Sequence, residues 1–561
     1  MTSSPTNFNY TKNMLATFII ARRKWLVFCV IPILAACSGV NAGSTDTPHD
    51  ATPEAASLKK ADAVDVLIYG ATPGGISAAL EAAKLGKRTL ILTPTTHVGG
   101  MTTSGISATD AYPQDRLWAM GGFARRFVDA VNTRYGATWT MGGIFGEPHI
   151  AESILLEMLR GAPSVSVEYG AELASAVTAS HQIKYVQMRD GRRYTARIFI
   201  DASYEGDLLA KAGVGYTLGR EAQSQYGESL AGVGSVTIKE GAGVDPYVVP
   251  GDQESGLLPH VSHNKLGAHG AADSAVQAYG YRLCLTADKM NQLPIVKPDN
   301  YDPWEFELLG RTAQAHPELI KTFDYIANVR IPNNKFDVNS FGLLSTDKVG
   351  GSSGYADADS EGRRTIEAEH KRYTMAVLTF LATDPRIPDN VRTEIASWGL
   401  CKDEYQDNGG FPWLLYVRES RRMIGDYVMK QSDLYTETVI FDSIGLGAFP
   451  IDQHTVHRVA IDGQVGIEGE IWQPLPRPYP ISYRSITPKS NEIRNLLVPV
   501  ALSASHVAYS SMRVEPTFMI TGQAAGAAAA LAIDTGSSVQ NVDYGKLSAV
   551  LLADGAVLSN R

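Results

Sequence analysis

Gly70-Ala71-Thr72-Pro73-Gly74-Gly75 is the first stretch of this chain whose residue types and spacing suggest chemistry. Glycines let a backbone turn sharply and approach a ligand closely. Val64-Asp65-Val66-Leu67-Ile68-Tyr69, just before it, is short, apolar and β-branched, and predicts a strand. The alanine-rich run from Ile76 predicts a helix that stops at Gly86. Arg88-Thr89-Leu90-Ile91-Leu92-Thr93 predicts a second strand. Strand, glycine turn, helix and strand within about 30 residues is the size of a βαβ unit. In such a unit the helix N-terminus aims backbone N–H groups and the positive end of its dipole at a pyrophosphate. Gly70, Thr72, Pro73, Gly74, Gly75 and Thr93 are therefore candidate cofactor-binding residues. Two of them depart from the G-x-G-x-x-G fingerprint. Thr72 replaces its second glycine, and Thr93 stands where an acidic ribose ligand is expected. An ordinary βαβ turn is the alternative on these residues alone.

The elements that would carry such a turn need a large core, and the composition supplies one. The 561 residues are 44% hydrophobic and 19% charged, which excludes a disordered chain. Lys plus Arg is 50 against 59 Asp plus Glu, a net charge of −9, which argues against a nucleic-acid partner. Four cysteines exclude a disulfide-framework scaffold. No metal site is expected: His454 and His457 are spaced i, i+3 without further ligands, and His260, His263 and His269 are scattered.

Further motifs follow in order. His97-Val98-Gly99-Gly100-Met101-Thr102-Thr103-Ser104-Gly105 comes after the second predicted strand, and Ile198-Phe199-Ile200-Asp201-Ala202-Ser203 predicts a later one. Tyr281-Arg282-Leu283-Cys284-Leu285-Thr286 and the charged run Tyr416-Val417-Arg418-Glu419-Ser420-Arg421-Arg422 lie downstream. Ser505-His506-Val507-Ala508, Met512-Arg513-Val514-Glu515-Pro516-Thr517 and Thr521-Gly522-Gln523-Ala524-Ala525-Gly526 close the series. Together, over roughly residues 62–545, they resemble a bacterial FAD-dependent oxidoreductase family of the glutathione-reductase-like type, some of whose members carry the label xanthan lyase. The resemblance implies FAD as cofactor. It adds Gly99, Gly100, Met101, Asp201, Ala202, Gly522, Gln523, Ala524 and Gly526 to the cofactor-binding set, with a helix opening near Thr521 toward the flavin. His506 becomes the candidate catalytic base, because it precedes that segment and imidazole titrates near working pH, with a structural histidine hydrogen-bonded to backbone as the alternative. Arg418 is the expected substrate-contacting guanidinium, and Arg513 is either a substrate clamp or the partner of Glu515 in an ion pair near the flavin. The alternative for the Arg418–Arg422 run is a solvated helix face or an internal ion-pair network. His97 reads as a loop histidine near the pyrophosphate rather than a covalent flavin tether.

The implied fold class is α/β: a discontinuous Rossmann-like FAD domain, residues 62–240 and 485–545, with an inserted mixed α+β substrate domain, residues 241–484. Within the insert, Glu361–Leu381 predicts a long helix and Thr438–Phe441 a strand. Asp207 is expected to cap a helix. Residues 1–37 read as a signal peptide. Arg22-Arg23-Lys24 precedes an apolar run from Trp25 to Ala36, too short to span a bilayer, ending in the lipobox-like Leu34-Ala35-Ala36-Cys37. Cys37 is the expected lipidation site and membrane anchor, and Arg22-Arg23 also looks like a degenerate twin-arginine signal. Residues 38–61, rich in Ser, Thr, Pro and Ala, read as a flexible tether. With Cys29 and Cys37 assigned to the leader and anchor, Cys284 and Cys401 are expected as buried free thiols.

The expected function is hydride transfer between flavin N5 and a small polar substrate, a carbohydrate or carbohydrate-derived acid, by an exported lipoprotein on the periplasmic side of a bacterial membrane. The electron acceptor would be oxygen, a quinone or a cytochrome. Two other classes fit the same residues: a lyase or isomerase holding FAD without net redox change, and a binding lipoprotein on a flavin fold.

Overall fold

Five parallel strands and one helix set the frame: β1 (Val64–Tyr69), α1 (Pro73–Lys84), β2 (Thr89–Leu92), β3 (Val165–Glu168), β4 (Ala196–Asp201) and β5 (Leu496–Leu497). The sheet order is β5–β4–β1–β2–β3. The computed structural model describes residues 64–108, 111–136, 145–239, 241–321, 329–339 and 342–560. The leader, Cys37 and the tether lie outside the described residues. Strands at the centre of a parallel sheet are covered on both faces, so they read as continuous apolar runs. Val66, Leu67 and Ile68 are accordingly buried completely. α1 is the crossover from β1 to β2 and ends before Gly86, whose φ of +79° suits only glycine without strain.

Three later helices matter for the site: α2 (Ser360–Thr383), α3 (His506–Met512) and α4 (Glu515–Thr535). α2 matches the helix predicted over 361–381. α4 is long and apolar enough to cross a membrane, yet 94% of its apolar window is buried inside the described structure. A helix apolar on all sides is a core helix when protein surrounds it. It begins at Glu515, six residues before the predicted start near Thr521, with Pro516 in its first turn, where a missing N–H costs nothing.

The segment between β4 and β5 carries a second five-stranded sheet, ordered Gln292–Pro294, Gly399–Cys401, Cys284–Thr286, Lys335–Asp337, Val329–Ile331. Every pairing in it is antiparallel. Leu285 pairs with Leu400, which sets Cys284 opposite Cys401, Cα atoms 5.6 Å apart, and the two form a disulfide. The expected free thiols are thus corrected: the register brings the sulfurs together. The predicted strand at 438–441 is also corrected. Val439 and Phe441 are 88% and 67% exposed, and the strand runs instead over Ser443–Gly447. The β-branched run there has no sheet neighbour to pack on, so its propensity goes unused.

Candidate functional site

The glycine turn is shaped by contacts that admit no side chain. Gly70 has φ +107°, and a Cβ there would sit 2.7 Å from the Ala202 carbonyl carbon. A Cβ at Gly75 would sit 2.0 Å from the Gly70 carbonyl oxygen. Thr72 is the N-cap of α1: its Oγ1 accepts the Gly75 N–H at 3.2 Å and donates to the Ala202 carbonyl at 2.8 Å. The residue that breaks the fingerprint therefore fastens the turn to the end of β4. Pro73 and Gly74 form the first turn of α1. The Gly99 N–H donates to the Ala71 carbonyl at 2.7 Å, which ties the second glycine loop to the first.

These elements open on a cleft of about 340 Å³ lined by Gly70, Thr72, Thr93, Gly100, Tyr204 and Glu205, among others. Asp201 and Ala202 stand behind it. Asp201 is fully buried, accepts the Ser203 and Leu209 N–H groups, and is pushed up to about 6 by burial. His97 lines the cleft, stacked on Trp413 with ring centroids 3.4 Å apart, its ring nitrogens meeting Glu152 at 3.1 Å and Asp407 at 2.8 Å. Burial opposes its charge, but the two carboxylates raise its pKa. Both nitrogens are engaged, which fits the loop-histidine reading. Asp207 does not cap a helix. Gly206 holds that position, and Asp207 takes Arg363 in two bonds of 2.8 Å.

Gly522, Gln523, Ala524 and Gly526 lie elsewhere. A Cβ at Gly522 would sit 2.1 Å from the Gly74 carbonyl oxygen, and one at Gly526 2.2 Å from that of Ala78. Gln523 accepts the Phe123 N–H at 2.9 Å, and Ala524 is fully buried. These residues seat α4 against α1 instead of lining the cleft, because the helix starts earlier than predicted.

What the start of α4 meets is a second cavity, of about 280 Å³, lined by Arg282, Tyr416, Asp452, His454, Arg513 and Glu515, with Trp472 beside them. His454 Nδ1 lies 2.6 Å from Asp347 Oδ2. Burial pushes Asp347 up, but Arg418, 3.0 Å away, and His454 hold its carboxyl well below the usual range. An ionised carboxylate only accepts, so Nδ1 is the donor, and Nε2 faces the cavity-lining Asp452 Oδ2 at 3.6 Å. Asp452 is held at about 2 against burial by His454 and Arg513. Arg513 donates to Tyr416 Oη at 3.1 Å and to the Asp452 carbonyl at 2.8 Å. Glu515 is pushed up to about 8 by burial, against the opposing hydrogen bond from Tyr204. Tyr204 Oη accepts the Met101 N–H at 2.9 Å and donates to Glu515 at 2.7 Å, so one phenol joins the walls of both cavities.

His506 lines neither cavity. It is fully buried, with Nδ1 2.8 Å from Glu419 and its N–H donating to Glu221. Arg418 sits behind Tyr416, its guanidinium 4.6 Å from that ring and paired to Asp347. Arg422 pairs with Glu221 at 2.6 Å. The charged run is thus an internal ion-pair network. Among the expected catalytic residues, Arg513 is at a cavity, Arg418 supports one, and His506 belongs to the network.

The family model described as FAD dependent oxidoreductase matches residues 65–551. The chain belongs to the FAD dependent oxidoreductase family. Comparison with curated proteins finds no match. Solved structures similar in part include a flavoprotein/dehydrogenase from Cytophaga hutchinsonii, 20% identical, covering 28% of this chain and 43% of that one with a TM-score of 0.21. PqsL of P. aeruginosa in complex with 2-aminobenzoylacetate is 18% identical, covering 25% and 42%, with a TM-score of 0.19. OxyS anhydrotetracycline hydroxylase from Streptomyces rimosus is 14% identical, covering 29% and 36%, with a TM-score of 0.23. The chain spans less than half the length of each of these structures.

As a family member the protein takes FAD as its cofactor, and the first cleft fits that group. Thr72, the N-cap of α1, and Gly100 of the second glycine loop both line the cleft, so the helix N-terminus and the loop meet there. A Cβ at Gly100 would sit 2.3 Å from Tyr204 Oη. Thr93 opens on the cleft without a carboxylate, but Glu172, from the turn after β3, lines the same cleft. Sequence reasoning missed Glu172 and Asp347 altogether. It weighed His454 only as a metal ligand and Glu515 only as a neighbour of Arg513, and it gave Tyr204 no role.

Proposed function

We propose that this protein is an exported FAD-dependent oxidoreductase acting on a small hydroxylated substrate, a carbohydrate or carbohydrate-derived acid, bound in the cavity at the start of α4. The observation that carries the reading is His454, oriented by buried Asp347, in a cavity that shares a wall with the cofactor cleft. Bound FAD supplies the two-electron acceptor or donor. His454 Nε2 takes the proton of a substrate hydroxyl, or returns it to a carbonyl oxygen, and Asp347 stabilises the imidazolium this creates. Arg513, tied to Asp452 and Tyr416, orients substrate oxygen atoms. Trp472, 57% exposed beside the cavity, offers a stacking face for a sugar ring. Export is supported by the lipobox-like Cys37 segment and by the Cys284–Cys401 disulfide, a bond that persists in oxidising compartments.

The test is anaerobic mixing of the purified holoprotein with a panel of sugars and sugar acids while the flavin absorbance is recorded. At least one compound should bleach the band, and His454→Asn should slow that bleaching without loss of FAD. Turnover of a compound with no bleaching would replace this reading by a lyase or isomerase.

A further inference from the structure

A third cavity, of about 590 Å³, is formed by the loop 348–353, residues 456–458 and the segment 260–276. Its volume falls within the range of about 300–1,000 Å³ typical of small-molecule sites. In a chain of net charge −9 its lining is basic: Lys265, Lys348, His457 and Arg458. Asp273 is the one carboxylate among the lining residues, and Arg220 already grips it with two bonds of 2.9 and 2.5 Å. The acids that pair with Lys348 and His457, Glu369 at 3.0 Å and Glu468 at 2.9 Å, lie outside the lining. Among the described residues no carboxylate pairs with Lys265.

The loop is built to present amides. A Cβ at Gly351 would sit 2.8 Å from Lys348 Cγ, so glycine lets the lysine stem fold back along the loop. Ser352 Oγ accepts the Tyr279 N–H at 3.0 Å and donates to the Gln277 carbonyl at 3.2 Å, which fixes the loop from behind. Among the described bonds, no backbone acceptor takes the N–H of Gly350, Ser352 or Ser353. Successive free amides beside lysine form an anion-binding concavity.

We propose that this cavity binds the oxyanion group of a small hydroxylated ligand, a carboxylate or a phosphate ester, held by Lys265, Lys348 and the amides of Gly350, Ser352 and Ser353. The site is independent of the redox reading. It adjoins the proposed dyad along the chain, since Lys348 follows Asp347 and Val456 lies two residues beyond His454.

Titration calorimetry on the holoprotein, with inorganic phosphate, sodium D-glucuronate and D-glucose in turn, tests it. At least one anion should bind with unit stoichiometry. Its affinity should fall tenfold or more in both Lys265→Glu and Lys348→Met, with FAD content unchanged. Binding of phosphate alone assigns a phosphate ester, and binding of glucuronate alone a carboxylate. Because Lys265 is exposed, its variant reads the site even if Lys348→Met fails to fold. Absence of anion binding, equal affinity in Lys265→Glu, or equal binding of glucose would overturn the proposal. Flavin reduction by the sugar panel is read separately, so either idea can fail alone.

Discussion

His454 and His506 are each held by a carboxylate, and their surroundings decide which one can do chemistry. His454 borders a cavity, whereas His506 is sealed between Glu221 and Glu419. A positioned general acid–base group contributes about 10²–10⁴ in rate. His454→Asn should therefore lower turnover by about that factor with FAD content preserved, as single-turnover flavin reduction would show. His506→Ala should instead cost about 3 kcal/mol, because Glu419, held at about 2 largely by His506, is left a buried carboxylate short of a partner. Urea unfolding reads that loss. Glu515 gives a pH signature. Burial raises it from 4.5 to about 8, so the folded state keeps a proton that the unfolded chain releases. Its contribution to stability is full below about pH 4.5 and is lost as the pH rises through about 8. Glu515→Gln keeps an acceptor for Tyr204 and should flatten the fall in thermal midpoint over that window. None of these roles was legible in the sequence. His454 meets Asp347 across 107 positions, and spacing along the chain carries no trace of such a pair.

At the scale of elements, β1, α1 and β2 were legible because a buried strand, a glycine turn and an alanine-rich helix each have a local pattern. The long helix α2 was legible for the same reason. The second sheet was not, because its strands are three residues long and are specified by partners far away. The glycines of α4 were noticed, but as ligands rather than as a seat. Gly522 and Gly526 let its backbone lie on α1, whose first turn borders the cleft. Forcing a methyl into such a contact costs about 1–3 kcal/mol. Gly522→Ala should lower stability by that amount and weaken FAD retention, because relief of the clash moves Gly74 and the N-terminus of α1. Fluorescence of FAD released on dilution measures the second effect.

Across the whole molecule, the disulfide closes a loop of 117 residues between two strands of the second sheet. A native bridge of this span contributes roughly 2–5 kcal/mol, and the Cys284→Ser/Cys401→Ser double variant should lose that much in urea unfolding under non-reducing conditions. The parallel sheet has a consequence in time. β4 waits for β5 across almost 300 residues, and α1 waits for α4 across more than 400. A ribosome therefore releases the glycine turn early and its supports last. A nascent chain halted at residue 490 would hold no FAD, so capture of the cofactor is one of the final events in the making of this protein.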